Sequence, residues 1–140
     1  MTKPGILVLC TGNSARSQMA EGFLRHCLGG RYEVFSAGTR PSRVRSEAIA
    51  VMREAGIDIS FHHSKSVDEF AGREFAYVIT VCDHARESCP VFPGATERVH
   101  WSFDDPAAVE GSAEEREAAF RRVRDEIAAR IRAFAETITL

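Results

Sequence analysis

The chain has 140 residues, is 44% hydrophobic and carries a formal net charge of −2, enough for one core that buries roughly two-thirds of the unfolded surface without disulfide or metal support. The near-neutral balance argues against broad nucleic-acid or membrane-surface binding, although 16 of the 18 basic residues are Arg. No stretch approaches a membrane span, and Met-Thr-Lys-Pro-Gly leads into a strand rather than a signal sequence, so a cytoplasmic location with reduced thiols is expected.

In chain order, the apolar run Ile6-Leu7-Val8-Leu9 predicts a strand over 5–9. A helix over about 17–28 follows, with Met19, Ala20, Phe23, Leu24, Cys27 and Leu28 on one apolar stripe. That stripe places Cys27 in the core. A strand over 32–37 and a helix over 46–55 come next, with Ser46 as the expected N-cap and Gly56 as the stop. A short helical piece near Val67–Phe70 precedes strands over 75–81 and 97–101. The chain closes with a long helix over about 113–135, in which Phe120, Val123, Ile127, Ile131 and Phe134 recur at helical spacing. This alternation predicts an α/β fold, one domain over 1–140, with a four-stranded parallel sheet and helices on both faces. Ligands of such sheets bind beyond the carboxyl ends of the strands.

Cys10 stands at such an end, in Cys10-Thr11-Gly12-Asn13-Ser14-Ala15-Arg16-Ser17. Backbone N–H groups of Thr11, Gly12, Asn13, Ser14 and Ala15, together with the positive end of the next helix, can ring a tetrahedral oxyanion. Arg16 offers a planar two-point clamp for its oxygens. The same donors can hold Cys10 as the nucleophilic thiolate, and Ser17 can donate its hydroxyl to the sulfur. Cys-x5-Arg spacing alone is weak evidence in so Arg-rich a chain. The strand before it, the Gly and Asn inside it and the amphipathic helix after it favour an anion-binding elbow over a structural cysteine.

A second pair, Cys82 and Cys89, follows the third predicted strand, so Cys82 leaves the sheet on the rim of Cys10 if those strands are neighbours. Metal binding needs tighter spacing and more ligands than His84 supplies. A static disulfide conflicts with the expected compartment, and Cys89 beside Pro90 in a turn-like stretch does not suit an inert core, which leaves a redox role. An acid is expected from Trp101-Ser102-Phe103-Asp104-Asp105-Pro106, on the same rim. Asp105 is preferred to Asp104 because Pro106 fixes its backbone direction, and a carboxylic acid shielded by apolar neighbours can keep its proton near neutral pH. Trp101 is read as packing beneath this loop.

These elements, with Gln18-Met19-Ala20-Glu21-Gly22 and Ser36-Ala37-Gly38, resemble the thioredoxin-coupled arsenate reductases built on the low-molecular-weight protein tyrosine phosphatase fold, over nearly the whole chain. The resemblance implies that Cys10 attacks arsenate, Arg16 and the loop hold its oxygens, and Asp105 protonates the departing oxygen. It further implies that Cys82 then attacks Cys10, that Cys89 attacks Cys82, and that thioredoxin reduces the final Cys82–Cys89 disulfide. No cofactor, metal, nucleic acid or membrane is implied, and a monomer is expected. Relatives that bind potassium beside the loop use an Asn, a Glu, a Ser and an acid. Asn13, Glu21 and Ser36 match that set, but Lys65 stands where the acid is expected, so an ammonium is expected to replace the cation. His62 and His63 are read as surface or capping residues. Ala15 stands where some relatives carry a further Cys. Three alternatives remain: a tyrosine phosphatase, which would usually carry aromatics where Ala107 and Ala108 follow the Asp-Pro; a reductase using a small thiol; and a non-catalytic thiol sensor.

Overall fold

A computed structural model describes residues 3–87, 89, 92–94 and 96–138; Ser88, Pro90 and the side chain of His84 lie outside the described residues. The elements are β1 (Gly5–Cys10), α1 (Arg16–Leu28), β2 (Glu33–Gly38), α2 (Ser46–Glu54), a 3-10 turn (Val67–Phe70), β3 (Tyr77–Thr80), α3 (Asp83–Glu87), β4 (Glu97–His100), a second 3-10 turn (Pro106–Ala108) and α4 (Ala113–Ile138). The four strands form one parallel sheet in the order β2-β1-β3-β4. β1 is central and buried throughout, which is why its sequence is an unbroken apolar run rather than an alternating one. From the centre, β1-α1-β2 steps toward one edge and β3-α3-β4 toward the other. Right-handed crossovers therefore put α1 and α3 on opposite faces.

Register sets the site. Cys10 lies opposite Gly38, and Leu9 opposite Thr80, so the ends of β1, β2 and β3 meet at one rim and Cys82 emerges two residues past Thr80. Gly38 is required there: a Cβ would stand 2.5 Å from the Thr11 carbonyl oxygen and 3.0 Å from Asn13. Trp101 is buried edge-on against Phe134 of α4, with ring centroids 5.4 Å apart, which fixes the root of the acid loop.

Three expectations are corrected. Ser46 is the first residue of α2 rather than its cap; extended Arg45 holds the cap position without a side-chain bond. Gly56 does end the helix, at φ +82°. Cys27 is exposed, because it lies at the margin of the α1 stripe and borders a surface hollow shared with Asp125 and Arg132. The polar residues after Cys82 form the short helix α3, which the sequence left open between a helical turn and a loop. Among the described residues no helix is long and apolar enough to cross a membrane.

Candidate active site

The loop between β1 and α1 is shaped by what its carbonyls do. The N–H groups of Thr39, Arg40, Ser42 and Arg45 donate to the carbonyl oxygens of Cys10, Thr11, Gly12 and Ser14 at 3.2, 2.8, 3.0 and 2.9 Å. The buried Gln18 amide donates to the Asn13 carbonyl at 3.1 Å. Five successive carbonyls are thus bound on the outside of the turn, and Asn13 has φ +49°. Such a turn leaves its N–H groups to converge on the inside, as an anion nest requires. The strap over residues 39–45 that achieves this was not recognised in the sequence, because backbone pairing between two loops leaves no side-chain signature.

Asn13 is the hub beneath the cradle. Its fully buried side chain donates to Ser17 Oγ (2.8 Å) and Ser36 Oγ (2.9 Å) and accepts from the Lys65 N–H (3.0 Å). Ser17 accepts from Asn13, which leaves its own O–H to be donated. Ser36 Oγ donates to Glu21 Oε1 at 2.6 Å. Buried Glu21 is also met by Lys65 Nζ at 3.7 Å and Arg25 at 2.8 Å. A buried carboxylate needs such partners to remain ionised. Lys65 thus stands where the sequence comparison put an ammonium, and Arg25 adds a second cation. With both in place, Asn13, Glu21 and Ser36 do not fit a further cation.

His62 overturns an expectation. Its side chain is 2% exposed, with Nε2 facing Arg25 at 3.0 Å and Nδ1 facing Gln18 Oε1 at 2.9 Å. Arg can only donate, so Nε2 accepts and Nδ1–H donates to Gln18. Burial holds the His62 pKa below its usual value, consistent with this neutral form. His62 and Gln18 therefore belong to the loop's support; His62 sits in an aperiodic segment whose burial depends on α1.

The rim brings Cys10 and Cys82 together. Cys10 is 3% exposed and Cys82 6%. The pair is hydrogen-bonded, and Cys82 Sγ also receives the Ala85 N–H at 3.4 Å and lies 3.3 Å from Thr11 Oγ1. The Cys82 ionisation is lowered to about 5, first by the Cys10 bond and further by Thr11, Ala85 and Arg16, against burial. The Cys10 thiol is pushed up, first by the same bond and by burial, with Arg16 and the Thr11 N–H opposing. The pair thus holds one proton and one negative charge, the proton on Cys10 when the cradle is empty. The Thr11 hydroxyl, expected only as part of the oxyanion loop, is also a partner of Cys82.

Arg16 lies at the start of α1, 14% exposed, donating to the Phe103 carbonyl at 3.0 Å and lying 3.8 Å from Asp105 Oδ2. Asp105 accepts the Ala107 N–H at 3.0 Å and caps the second 3-10 turn, where Pro106 takes the first position. Its side chain is 44% exposed, so the apolar shielding expected for it is absent; it faces water beside Arg16. Asp104 turns outward to Arg122 at 3.4 Å. Cys89 is apart from this group. It is half-buried beyond α3 at a cavity of about 390 Å³ shared with Arg86, Arg98 and His100, and burial raises its pKa. All four cysteines are free thiols, and no metal-ligand cluster occurs among the described residues.

The model of the low molecular weight phosphotyrosine protein phosphatase family matches residues 5–139. The chain belongs to that family. It is 51% identical over 137 residues to an arsenate reductase of Halalkalibacterium halodurans, covering 98% of this chain and 99% of that protein. It is 46% identical over 132 residues to an arsenate reductase of Bacillus subtilis, covering 94% and 95% of the two chains. Among solved structures, an arsenate reductase in the phosphate binding state superposes with a TM-score of 0.75 at 30% identity, covering 96% of this chain and 98% of that one. A thioredoxin-dependent arsenate reductase of Corynebacterium glutamicum superposes with a TM-score of 0.76 at 29% identity, over 98% of this chain and 62% of that longer one.

Proposed function

We propose that the chain reduces arsenate to arsenite by a three-thiol relay, with thioredoxin as the electron donor. The observation that carries the reading is the pairing of Cys10 with Cys82 at the mouth of an oxyanion cradle, a second thiol that phosphoryl transfer does not need. The relatives at about half identity, named as arsenate reductases, support the substrate.

Arsenate enters the cradle, where the loop N–H groups and Arg16 take its oxygens. Transfer of the shared proton to Cys82 leaves Cys10 ionised. The Cys10 thiolate attacks arsenic, and one oxygen leaves as water with a proton delivered by Asp105, whose open position lets it reload from solvent. Cys82, once deprotonated, attacks the Cys10 sulfur. The S–As electron pair passes to arsenic, arsenite leaves, and a Cys10–Cys82 disulfide remains. Cys89 attacks Cys82, freeing the Cys10 thiolate and leaving Cys82–Cys89 for a dithiol to reduce.

Cys89 is not beside Cys82 in this reduced arrangement, so the third step requires the five-residue α3 to open. That helix is held at its start by Cys82, which caps the Ala85 N–H, and by Asp83, which meets His100 at 3.1 Å. Consuming the Cys82 thiolate in a disulfide removes the charge that this N–H stabilises, which favours opening when it is needed. The test is Cys89→Ser: one arsenite per enzyme and then arrest at Cys10–Cys82 are expected, and sustained thioredoxin-linked turnover would refute the relay. Lys65 and Arg25 supply the charge beneath the loop, so activity is expected to be indifferent to potassium.

A further inference from the structure

The strap that shapes the oxyanion loop is also the most concentrated run of positive charge in the chain, Arg40-Pro41-Ser42-Arg43-Val44-Arg45. Its backbone is tied to the loop: Arg40 N–H donates to the Thr11 carbonyl, Ser42 N–H to Gly12 and Arg45 N–H to Ser14. Ser42 is held from a second side by Ser64, whose hydroxyl also donates to the Gly12 carbonyl at 3.0 Å. Arg40 and Arg43 are therefore fixed at their backbones beside the cradle. Both are exposed. Neither makes an ion pair among the described residues, whereas Arg116, Arg121, Arg122 and Arg124 each face a carboxylate.

The acids of the opposite side are already engaged. Asp105 faces Arg16, and Asp104 faces Arg122. A protein of net charge −2 thus presents two uncompensated guanidinium groups at the entrance to a cavity for a doubly charged anion. Stability does not account for them: exposed arginines without carboxylate partners contribute little to folding. Their field does have a consequence, because charge lining a cleft of low-dielectric walls concentrates counter-ions at its mouth.

We propose that Arg40 and Arg43 form an electrostatic collar that draws anionic substrate into the Cys10 loop and favours dianions over neutral electrophiles, without touching the bound oxyanion. The inference rests on the reading of that loop as an oxyanion site. Because both side chains are exposed, their effect is screened over about 10 Å at 0.1 M salt, which makes it separable from the salt-resistant hold of buried Arg16.

The test is the double variant Arg40→Glu/Arg43→Glu in the full chain. Arsenate kcat/KM is expected to fall on the order of tenfold at low ionic strength, with kcat unchanged, and the difference from the parent should shrink as sodium chloride is raised. A second measurement does not depend on turnover: alkylation of Cys10 by anionic iodoacetate and by neutral iodoacetamide, followed by peptide mapping. The variant should lose iodoacetate reactivity about tenfold and keep its iodoacetamide rate. Equal loss with both reagents would mean a distorted loop and would overturn the collar, as would an unchanged iodoacetate rate. Where charge reversal prevents folding, Arg40→Gln/Arg43→Gln must show the same selective loss at smaller amplitude. A parent that turns over no arsenate yet shows the selective alkylation effect would refute the reductase reading and leave the collar standing.

Discussion

Replacing Thr11 by Val tests how the Cys10–Cys82 pair holds its charge. The two side chains have nearly the same volume, so the change deletes the hydroxyl that lies 3.3 Å from Cys82 Sγ and little else. A hydrogen bond to a charged acceptor contributes about 1.5 kcal/mol, which corresponds to about one pH unit. The first ionisation of the pair, placed at about 5 on Cys82, is therefore expected near 6 in the variant, because the Cys10 and Ala85 bonds remain. The assay is ultraviolet thiolate absorbance against pH, in a background where Cys27 and Cys89 are Ser. Stability should follow. The folded-state value lies below the unfolded 9.0, so this group's contribution is fully present above 9.0 and is lost as pH falls through about 5. Thr11→Val should diminish that contribution. An ionisation midpoint identical to the parent's would refute the assignment of charge to Cys82.

Cys10 has the opposite linkage: its pKa is raised above 9.0, so the fold should be unaffected below 9.0 and lose stability as pH rises beyond it, a loss that Cys10→Ser abolishes in pH-dependent melting curves. Gly38→Ala drives a methyl against the Thr11 carbonyl and should destabilise the fold by about 1–3 kcal/mol while weakening oxyanion affinity; calorimetry with sulfate as the probe measures both, and unchanged affinity would refute the account of the close approach. Lys65→Ala should leave Glu21 with one cation fewer and create a saturable potassium stimulation absent from the parent; the same response to potassium and sodium in the variant would show that Lys65 does not stand in for a cation.

The sheet was legible because its strands are buried on both faces and read as apolar runs, and the long helix because Phe120 to Phe134 keep helical spacing. Cys10, Arg16 and Cys82 were legible together, since strand ends in a parallel sheet share a rim. What the sequence hid depends on contacts between distant segments. His62 looks like a surface residue until α1 brings Glu21, Arg25 and Gln18 around it. Cys27 looks like a core residue until the width of the stripe is seen to stop at Phe23 and Leu24. Asp105 was assigned apolar cover from its neighbours in the chain, but its loop turns it toward Arg16 and water. The 39–45 strap acts through main-chain donors, which residue identity does not encode.

The most direct measurement is disulfide mapping after a single arsenate turnover in the absence of reductant. One equivalent of arsenite and a Cys82–Cys89 bond, with Cys10 again a free thiol, is the predicted result. Arsenite release without any intramolecular disulfide, or a bond that involves Cys27, would contradict the account.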